Sequence, residues 1–187
     1  MITDKQRLDY LLNIYFGSYF ADYVSAAVRR AYRDFSRTQH GFRENPNRES
    51  IHSKRAEWLV EEISKMLDMD FKDQDEFDAH HKKVMERLMK MSQNEFSYGQ
   101  AQKWINMSLK YCLVIEPKNS CKNERLFHVP IDNIFLTILA EKGHRFPDIG
   151  TWSKINSHRA YMNFQRWIRI EFPSEKPIQV ELRLFRR

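Results

Sequence analysis

The sequence predicts a mostly α-helical protein that forms a single multi-helix domain over residues 1–187, with a short C-terminal β-strand at about residues 177–185. Apolar residues recur at helical spacing through most of the chain. Five glycines and six prolines are too few for an all-β chain with many tight turns. A hydrophobic content of 42% over 187 residues is enough for a substantial core and suits one domain.

Four helices are predicted in the first half of the chain, at residues 4–16, 19–37, 51–68 and 74–92. In each of them apolar side chains return every three or four residues. Thr3 or Asp4 is the expected N-cap of the first helix, and Ser50 is the expected N-cap of the third. Residues 38–50 are polar and contain a glycine and a proline, so we expect a loop there.

The second half of the chain begins with a helix at residues 98–115, for which Ser97 is the expected N-cap. A loop follows, and then a short helix opens at "VPIDN", with Gly143 as its C-cap. The last helix is predicted at residues 154–171. The tail "PIQVELRLFRR" alternates apolar and polar residues, which is the period of a strand that must pair with another segment or another chain.

Composition excludes several classes of protein. The net charge is +6 and the pI is about 9.3, which points toward a polyanionic partner such as nucleic acid. Cys112 and Cys121 do not form a CxxC pair, and His80 and His81 are adjacent on a helix, about 100° apart, so we expect no metal site. No phosphate-binding glycine loop or hydrolase motif occurs, so we expect no cofactor.

The N-terminus "MITDKQRLDY" is polar, and no apolar run approaches the roughly 20 residues that a membrane span requires. We therefore expect no membrane partner. Two cysteines outside any disulfide framework suit a reducing compartment. The expected location is cytoplasmic, with association with the nucleoid if the protein is prokaryotic.

A basic region lies in the second predicted helix and the loop after it. Its arginines are Arg29, Arg30, Arg33, Arg37 and Arg43. Arg30, Arg33 and Arg37 share one helical face, and aromatic residues are interleaved with them, which suits contact with phosphates and bases. The alternative is a solvated face with Asp22 and Asp34 as ion-pair partners. Further basic clusters occur at residues 158–169 and in the C-terminal "RLFRR".

Lys103 and Asp132 are the candidate reactive pair. Small residues precede Lys103 at a helix start, where free backbone amides are suited to hold a phosphate. A lysine in the first turns of a helix lies near the positive end of the dipole, which favours the neutral amine of a nucleophile. Asp132 opens the next helix, where a carboxylate is favoured and is able to orient a nucleophile. The alternative is that Lys103 is a solvated lysine.

The segments "GQAQKWINMSLKY" and "VPIDNIFLTILAEKG" resemble two motifs of the helix-hairpin-helix DNA glycosylase superfamily. Those motifs are a glycine-containing turn that leads through a lysine into an apolar helix, and a Val-Asp segment that opens the next helix. Gly99 matches the first glycine of the turn, and Ala101 takes the place of the second. Lys103 matches the lysine that forms a Schiff base, and Asp132 matches the aspartate. The resemblance covers residues 95–143 and requires the loop 116–127 to return Asp132 to Lys103.

The resemblance implies a protein that binds duplex DNA, flips a base into a pocket and cleaves its N-glycosidic bond. Lys103 would attack the sugar and Asp132 would assist. The implied DNA-binding residues are Gly99, Gln100, Ala101 and Gln102, to which Arg30, Arg33 and Arg37 add a basic face. Candidates for the base pocket are His128, Trp152, Phe164 and Trp167, and also Phe42. The rival hypothesis is a non-catalytic helical module that binds nucleic acid or another protein.

Overall fold

The computed structural model describes residues 2–17, 22–39, 45–92, 96–115 and 121–185, and the protein is mostly helical over these ranges. Its α-helices are α1 (Asp4–Phe16), α2 (Tyr23–Phe35), α3 (Arg48–Asp68), α4 (Gln74–Met91), α5 (Tyr98–Ile115), α6 (Asn133–Glu141), α7 (His158–Glu171) and α8 (Pro177–Leu184). Within these ranges, short 3₁₀ helices lie at Ser36–Thr38, Glu124–Leu126 and Trp152–Lys154. None of the described helices combines the length and the apolarity needed to cross a bilayer.

The helix boundaries follow local capping chemistry. Thr3 and Gln6 form a capping box at α1, and Ser97 and Gln100 exchange the same pair of hydrogen bonds at α5. Helix α2 begins after Asp22, which caps it, whereas the sequence predicts a start at residue 19; residues 19–21 lie outside the described part of the chain. Helix α3 begins at Arg48, before the predicted N-cap Ser50.

Helix α7 begins at His158 rather than at residue 154, because Ser157 accepts from the amide of Ala160 and caps the helix there. The preceding residues, which were predicted to be helical, form the 3₁₀ turn Trp152–Lys154. The predicted single helix is therefore a 3₁₀ turn followed by α7, and the turn packs against the start of α5.

The predicted C-terminal strand is wrong, because this segment is helix α8. Ile178, Glu181 and Leu184 are three residues apart, so a helix places them on one face, and all three are buried. A strand would have buried Leu182 with the other apolar residues, but its exposed fraction is 39%. Pro177 occupies the first turn, where its fixed φ angle favours a helix.

Helix α5 is the centre of the core, and almost every one of its side chains is buried. Helix α2 packs along it closely because its contact face carries small side chains. These are Ala26, Ala27 and Ala31, each with no exposed surface. Trp104 on α5 donates its indole N–H to the carbonyl of Val28, 3.0 Å away, which fixes the two helices in register. Any polar side chain on α5 must therefore find its partner inside the protein.

Candidate functional site

Two glutamines hold the extended segment that precedes α6. Gln165 accepts from the amide of Val129 at 3.1 Å and donates to its carbonyl at 2.9 Å. Gln102 does the same for Ile131, at 3.1 Å and 2.8 Å. Alternate residues of an extended chain point their amide and carbonyl groups to the same side. The two side-chain amides therefore replace a neighbouring strand, and they fix the position of Asp132, the next residue.

Asp132 joins α6 to α5. It is the N-cap of α6, and its Oδ1 accepts from the amide of Phe135 at 2.8 Å. Its Oδ2 accepts from Nζ of Lys103, a residue 29 positions earlier in the chain. Lys103 is only 3% exposed, so it is not a solvated lysine, whereas the side chain of Asp132 is 21% exposed. The structure therefore brings the predicted pair into direct contact, with Asp132 as the more accessible partner.

A second buried ion pair lies two helical turns farther along α5. Nζ of Lys110 donates to both carboxylate oxygens of Glu181, at 2.8 Å and 3.0 Å. The side chains are 11% and 4% exposed, respectively. Because Lys110 has no other carboxylate beside it among the described residues, Glu181 compensates its charge and attaches α8 to the core.

Four side chains from α1, α2 and α5 form a closed ring of hydrogen bonds. Arg30 donates to Asp34 Oδ1 and to the hydroxyl of Tyr15, both at 2.6 Å. Tyr111 donates to Asp34 Oδ2 at 2.6 Å, and the two tyrosine hydroxyls are 3.0 Å apart. Burial and the Asp34 carboxylate raise the pKa of Tyr111 far above its usual value, so its hydroxyl stays protonated as the donor. The guanidinium group of Arg30 is therefore already bound to two side chains of the protein.

The two ion pairs and the ring of hydrogen bonds line one cleft of 610 Å³. The cleft is formed by α2, α5, α6 and α8 together with Tyr15. Its basic side chains are Arg30, Arg33, Arg37, Lys103 and Lys110. Three acidic side chains, Asp34, Asp132 and Glu181, accept from three of these cations. Arg33 and Arg37 are exposed and form no ion pair with any described residue. Among the described residues, no carboxylate therefore compensates these two positive charges of the cleft.

The cleft is also lined by apolar side chains that are partly exposed to solvent. These side chains are Val114, Ile134, Leu182 and Phe185. Trp152 is 7% exposed and lines the same cleft. The cleft therefore combines exposed guanidinium groups with apolar side chains.

The four helix-start residues that the resemblance implies for DNA binding are buried: Gly99, Gln100, Ala101 and Gln102. The backbone amides of the first three donate hydrogen bonds within the protein. The amide of Gly99 donates to the carbonyl of Ile155, and the amides of Gln100 and Ala101 donate to Ser97. The side chain of Gln100 binds Thr38, and that of Gln102 binds Ile131.

Of the residues predicted for a base pocket, Trp152 lines the cleft. His128 and Phe164 are completely buried in the core, and Trp167 packs against Phe146. Phe42 lies outside the described residues. The structure therefore brings together Lys103, Asp132, the three arginines and one tryptophan, and it places His128, Phe164 and Trp167 outside the lining of the cleft.

Sequence reasoning missed Lys110, Glu181 and the two tyrosines of the ring. One signal was present, because Lys103 and Lys110 are seven residues apart and so share a face of a helix that is otherwise rich in apolar residues. Glu181 carried a signal only if the tail was read as a helix, in which it lies beside buried apolar residues. The tyrosine ring joins positions 15, 30, 34 and 111, and no local pattern predicts such a contact.

Within the described part of the chain, no group of three or more histidine, cysteine, aspartate or glutamate side chains is arranged to hold a metal ion. No family model matches the chain, and neither a curated protein nor a solved structure is significantly similar to it.

Proposed function

We propose that the protein binds DNA and that the cleft formed by α2, α5, α6 and α8 holds the phosphates. The observation that carries this proposal is the pair Arg33 and Arg37, two exposed guanidinium groups without a carboxylate partner among the described residues, in a cleft where every acidic side chain is already paired. Guanidinium groups match the geometry of phosphate oxygens and remain charged at any physiological pH.

The rest of the cleft suits a nucleotide. Arg33 in the last turn of α2 and Arg37 in the 3₁₀ turn Ser36–Thr38 both line the cleft, so both are able to contact one ligand. The exposed ring of Phe185 supplies a surface for stacking of a base, and Val114, Ile134 and Leu182 add apolar contact. A volume of 610 Å³ falls within the range of about 300–1,000 Å³ that is typical of ligand cavities. The net charge of +6 adds a long-range attraction for a polyanion.

The double variant Arg33→Ala/Arg37→Ala is expected to weaken DNA binding at least about tenfold, because hydrogen bonds to charged groups are worth about 1.5–3 kcal/mol and each 1.4 kcal/mol is a factor of ten. Fluorescence anisotropy with single-stranded and duplex oligonucleotides at fixed salt measures the loss. The matched control is Arg87→Ala/Arg159→Ala, which removes the same charge from two exposed arginines outside the cleft. Equal weakening by both double variants would rule out the cleft.

A second candidate function is excision of a base by Lys103 and Asp132. The contact between these two side chains, on the wall of the same cleft, specifically favours it. Asp132 would take a proton from the Lys103 ammonium, and the free amine would form a bond to C1′ of the sugar. The glycosidic bond would break, and the departing base would take up a proton. The C1′–O4′ bond of the sugar ring would then break as O4′ takes up a proton from the nitrogen, which leaves the opened sugar attached to Lys103 as a Schiff base.

Borohydride trapping on oligonucleotides that contain damaged or modified bases tests this second candidate. If Lys103 is the nucleophile, a covalent adduct forms with the unaltered protein and disappears in Lys103→Gln, while Lys82→Gln, a change at an exposed lysine of α4, leaves it intact. Circular dichroism verifies that each variant is folded. DNA binding without any adduct or abasic product would exclude excision and would leave the binding proposal standing.

A further inference from the structure

A chain of five hydrogen-bonded side chains crosses the core from α4 to α7 and back. His81 Nε2 lies 2.8 Å from Asn106 Oδ1, and Asn106 Nδ2 lies 3.1 Å from the hydroxyl of Tyr161. That hydroxyl is 2.6 Å from His128 Nδ1, and His128 Nε2 is 2.9 Å from Asp78 Oδ1. All members except Asp78 are fully buried.

The donors and acceptors of this chain fit one arrangement of protons. The Asp78 carboxylate can only accept, so His128 donates from Nε2 and must accept at Nδ1 from the Tyr161 hydroxyl. The oxygen of Tyr161 in turn accepts from the amide of Asn106, and Asn106 Oδ1 accepts from Nε2–H of His81. In this arrangement both histidines are neutral, and Nδ1 of His81 has no partner among the described residues.

The surroundings of His128 oppose its protonation. Burial lowers its pKa, and Asp78 only partly offsets that effect. Burial likewise lowers the pKa of His81, whose ring centroid is 4.7 Å from that of His128. The titratable or charged groups that act on His128 are Asp78 and His81 from α4, and Tyr161, His158 and Arg169 from α7. Helix α5 contributes the neutral Asn106.

The chain is connected to the segment that positions Asp132. Nδ2 of Asn106 also lies 3.3 Å from the carbonyl of Val129 and 3.0 Å from Oε1 of Gln102. That same oxygen of Gln102 accepts from the amide of Ile131, the residue before Asp132. A change at Asn106 therefore reaches both positions at which the extended segment is held, and through them the wall of the cleft.

We propose that uptake of a proton by His128 releases the extended segment 127–132 and thereby weakens ligand binding in the cleft. Protonated His128 carries a hydrogen on Nδ1 that points at the Tyr161 hydroxyl, which already faces the amide of Asn106. The hydroxyl hydrogen then has no acceptor in the core, and a buried unsatisfied group is unfavourable. A buried charge is also unfavourable, so charged His128 moves toward water and draws the adjacent Val129 away from Gln165 and Asn106.

The direction of the pH dependence follows from the shift. The folded-state pKa of His128 lies below its ordinary value of 6.5, so the neutral form stabilises the fold above that pH. This stabilisation is lost as the pH falls below 6.5 toward the lowered pKa. Release of the segment is inferred from the fold alone, whereas its effect on a ligand rests on the proposed DNA binding.

Hydrogen exchange of the Val129 and Ile131 amides, followed by NMR between pH 7.5 and 5, tests the release. After correction for intrinsic rates, their exchange is expected to rise at least about tenfold at the pH where the ring nitrogens of His128 titrate. The amide of Ala31, in the core face of α2, is expected to stay protected. Protection of Val129 and Ile131 that persists while His128 becomes charged would overturn the proposal, as would a His128 that stays neutral until the protein unfolds.

Variants distinguish the pH-dependent release of segment 127–132 from the proposed DNA binding. His128→Gln keeps a donor for Asp78 but cannot titrate, so the exchange rates should become independent of pH; His144→Asn, at a partly exposed histidine paired with Glu171, should behave as the unaltered protein does. DNA affinity should fall on acidification in the unaltered protein and in His144→Asn, and less in His128→Gln. Absence of DNA binding at every pH would refute the binding proposal, while the exchange data would still decide the release.

Discussion

Gly99→Ala is expected to lower the free energy of unfolding by about 3 kcal/mol or more, because overpacking against a rigid neighbour forces the backbone to move. A Cβ atom at this position would lie 1.8 Å from the carbonyl oxygen of Trp152 and 2.9 Å from its carbonyl carbon. The amide of Gly99 also donates to the carbonyl of Ile155 at 3.2 Å, so the first turn of α5 cannot move away without losing that bond. Chemical denaturation measures the loss.

Gly143→Ala is the matched control for this prediction. Gly143 has a φ angle of 81°, and a Cβ there would meet nothing within 4 Å. An L-residue in the left-handed region costs about 1–2 kcal/mol, so this variant should lose less stability than Gly99→Ala. Equal losses for the two variants would show that close contact with Trp152 is not what requires a glycine at position 99.

Glu181→Ala is expected to destabilise the protein by about 3–5 kcal/mol, because removing one partner of a buried ion pair leaves an uncompensated charge in the core. Lys110 would then be buried beside α8 without the carboxylate that accepts two of its hydrogen bonds. Part of the loss should be recovered by Lys110→Met/Glu181→Leu, since apolar residues of similar size often replace such a pair without cost. Thermal and chemical unfolding of the three proteins provide the comparison.

The exposed pair Arg183–Glu175 is the control for Glu181→Ala. Its side chains are 50% and 32% exposed, and exposed ion pairs contribute about 0–1 kcal/mol. Glu175→Ala should therefore lower the free energy of unfolding only slightly, although its partner Arg183 lies on α8 as Glu181 does. A loss for Glu181→Ala as small as that for Glu175→Ala would contradict the role assigned to Lys110.

Most of the helices were predictable because their signals are local. Apolar periodicity and capping residues predict the ends of α1, α4 and α5 to within about one residue, and local patterns rarely give a higher accuracy. The tail was not predictable in this way, because its apolar residues fit both a period of two and a helical face with Glu181. The choice between them depends on Lys110, 71 residues away in the chain.

The candidate site was predictable only in part. The approach of Asp132 to Lys103 followed from two helix starts that match one family's motifs, and the structure shows that contact. The sequence left a solvated Lys103 open as the alternative, whereas the polar side chains of α5 are buried and hydrogen-bonded. Their partners are carried by distant segments, such as Ile131 for Gln102 and Tyr161 for Asn106. The sequence gives no signal for such pairs of distant residues. The same is true of the ring of hydrogen bonds in which Arg30 takes part.

NMR of the arginine side chains during a DNA titration tests the DNA-binding cleft most directly. The Nε–Hε signals of Arg33 and Arg37 are expected to shift and broaden as phosphate binds, and those of Arg87 and Arg159 are expected to stay in place. Arg30 should respond less than Arg33, because its guanidinium remains bound to Asp34 and Tyr15. DNA binding that shifts Arg87 or Arg159 and leaves Arg33 and Arg37 unchanged would contradict the proposal.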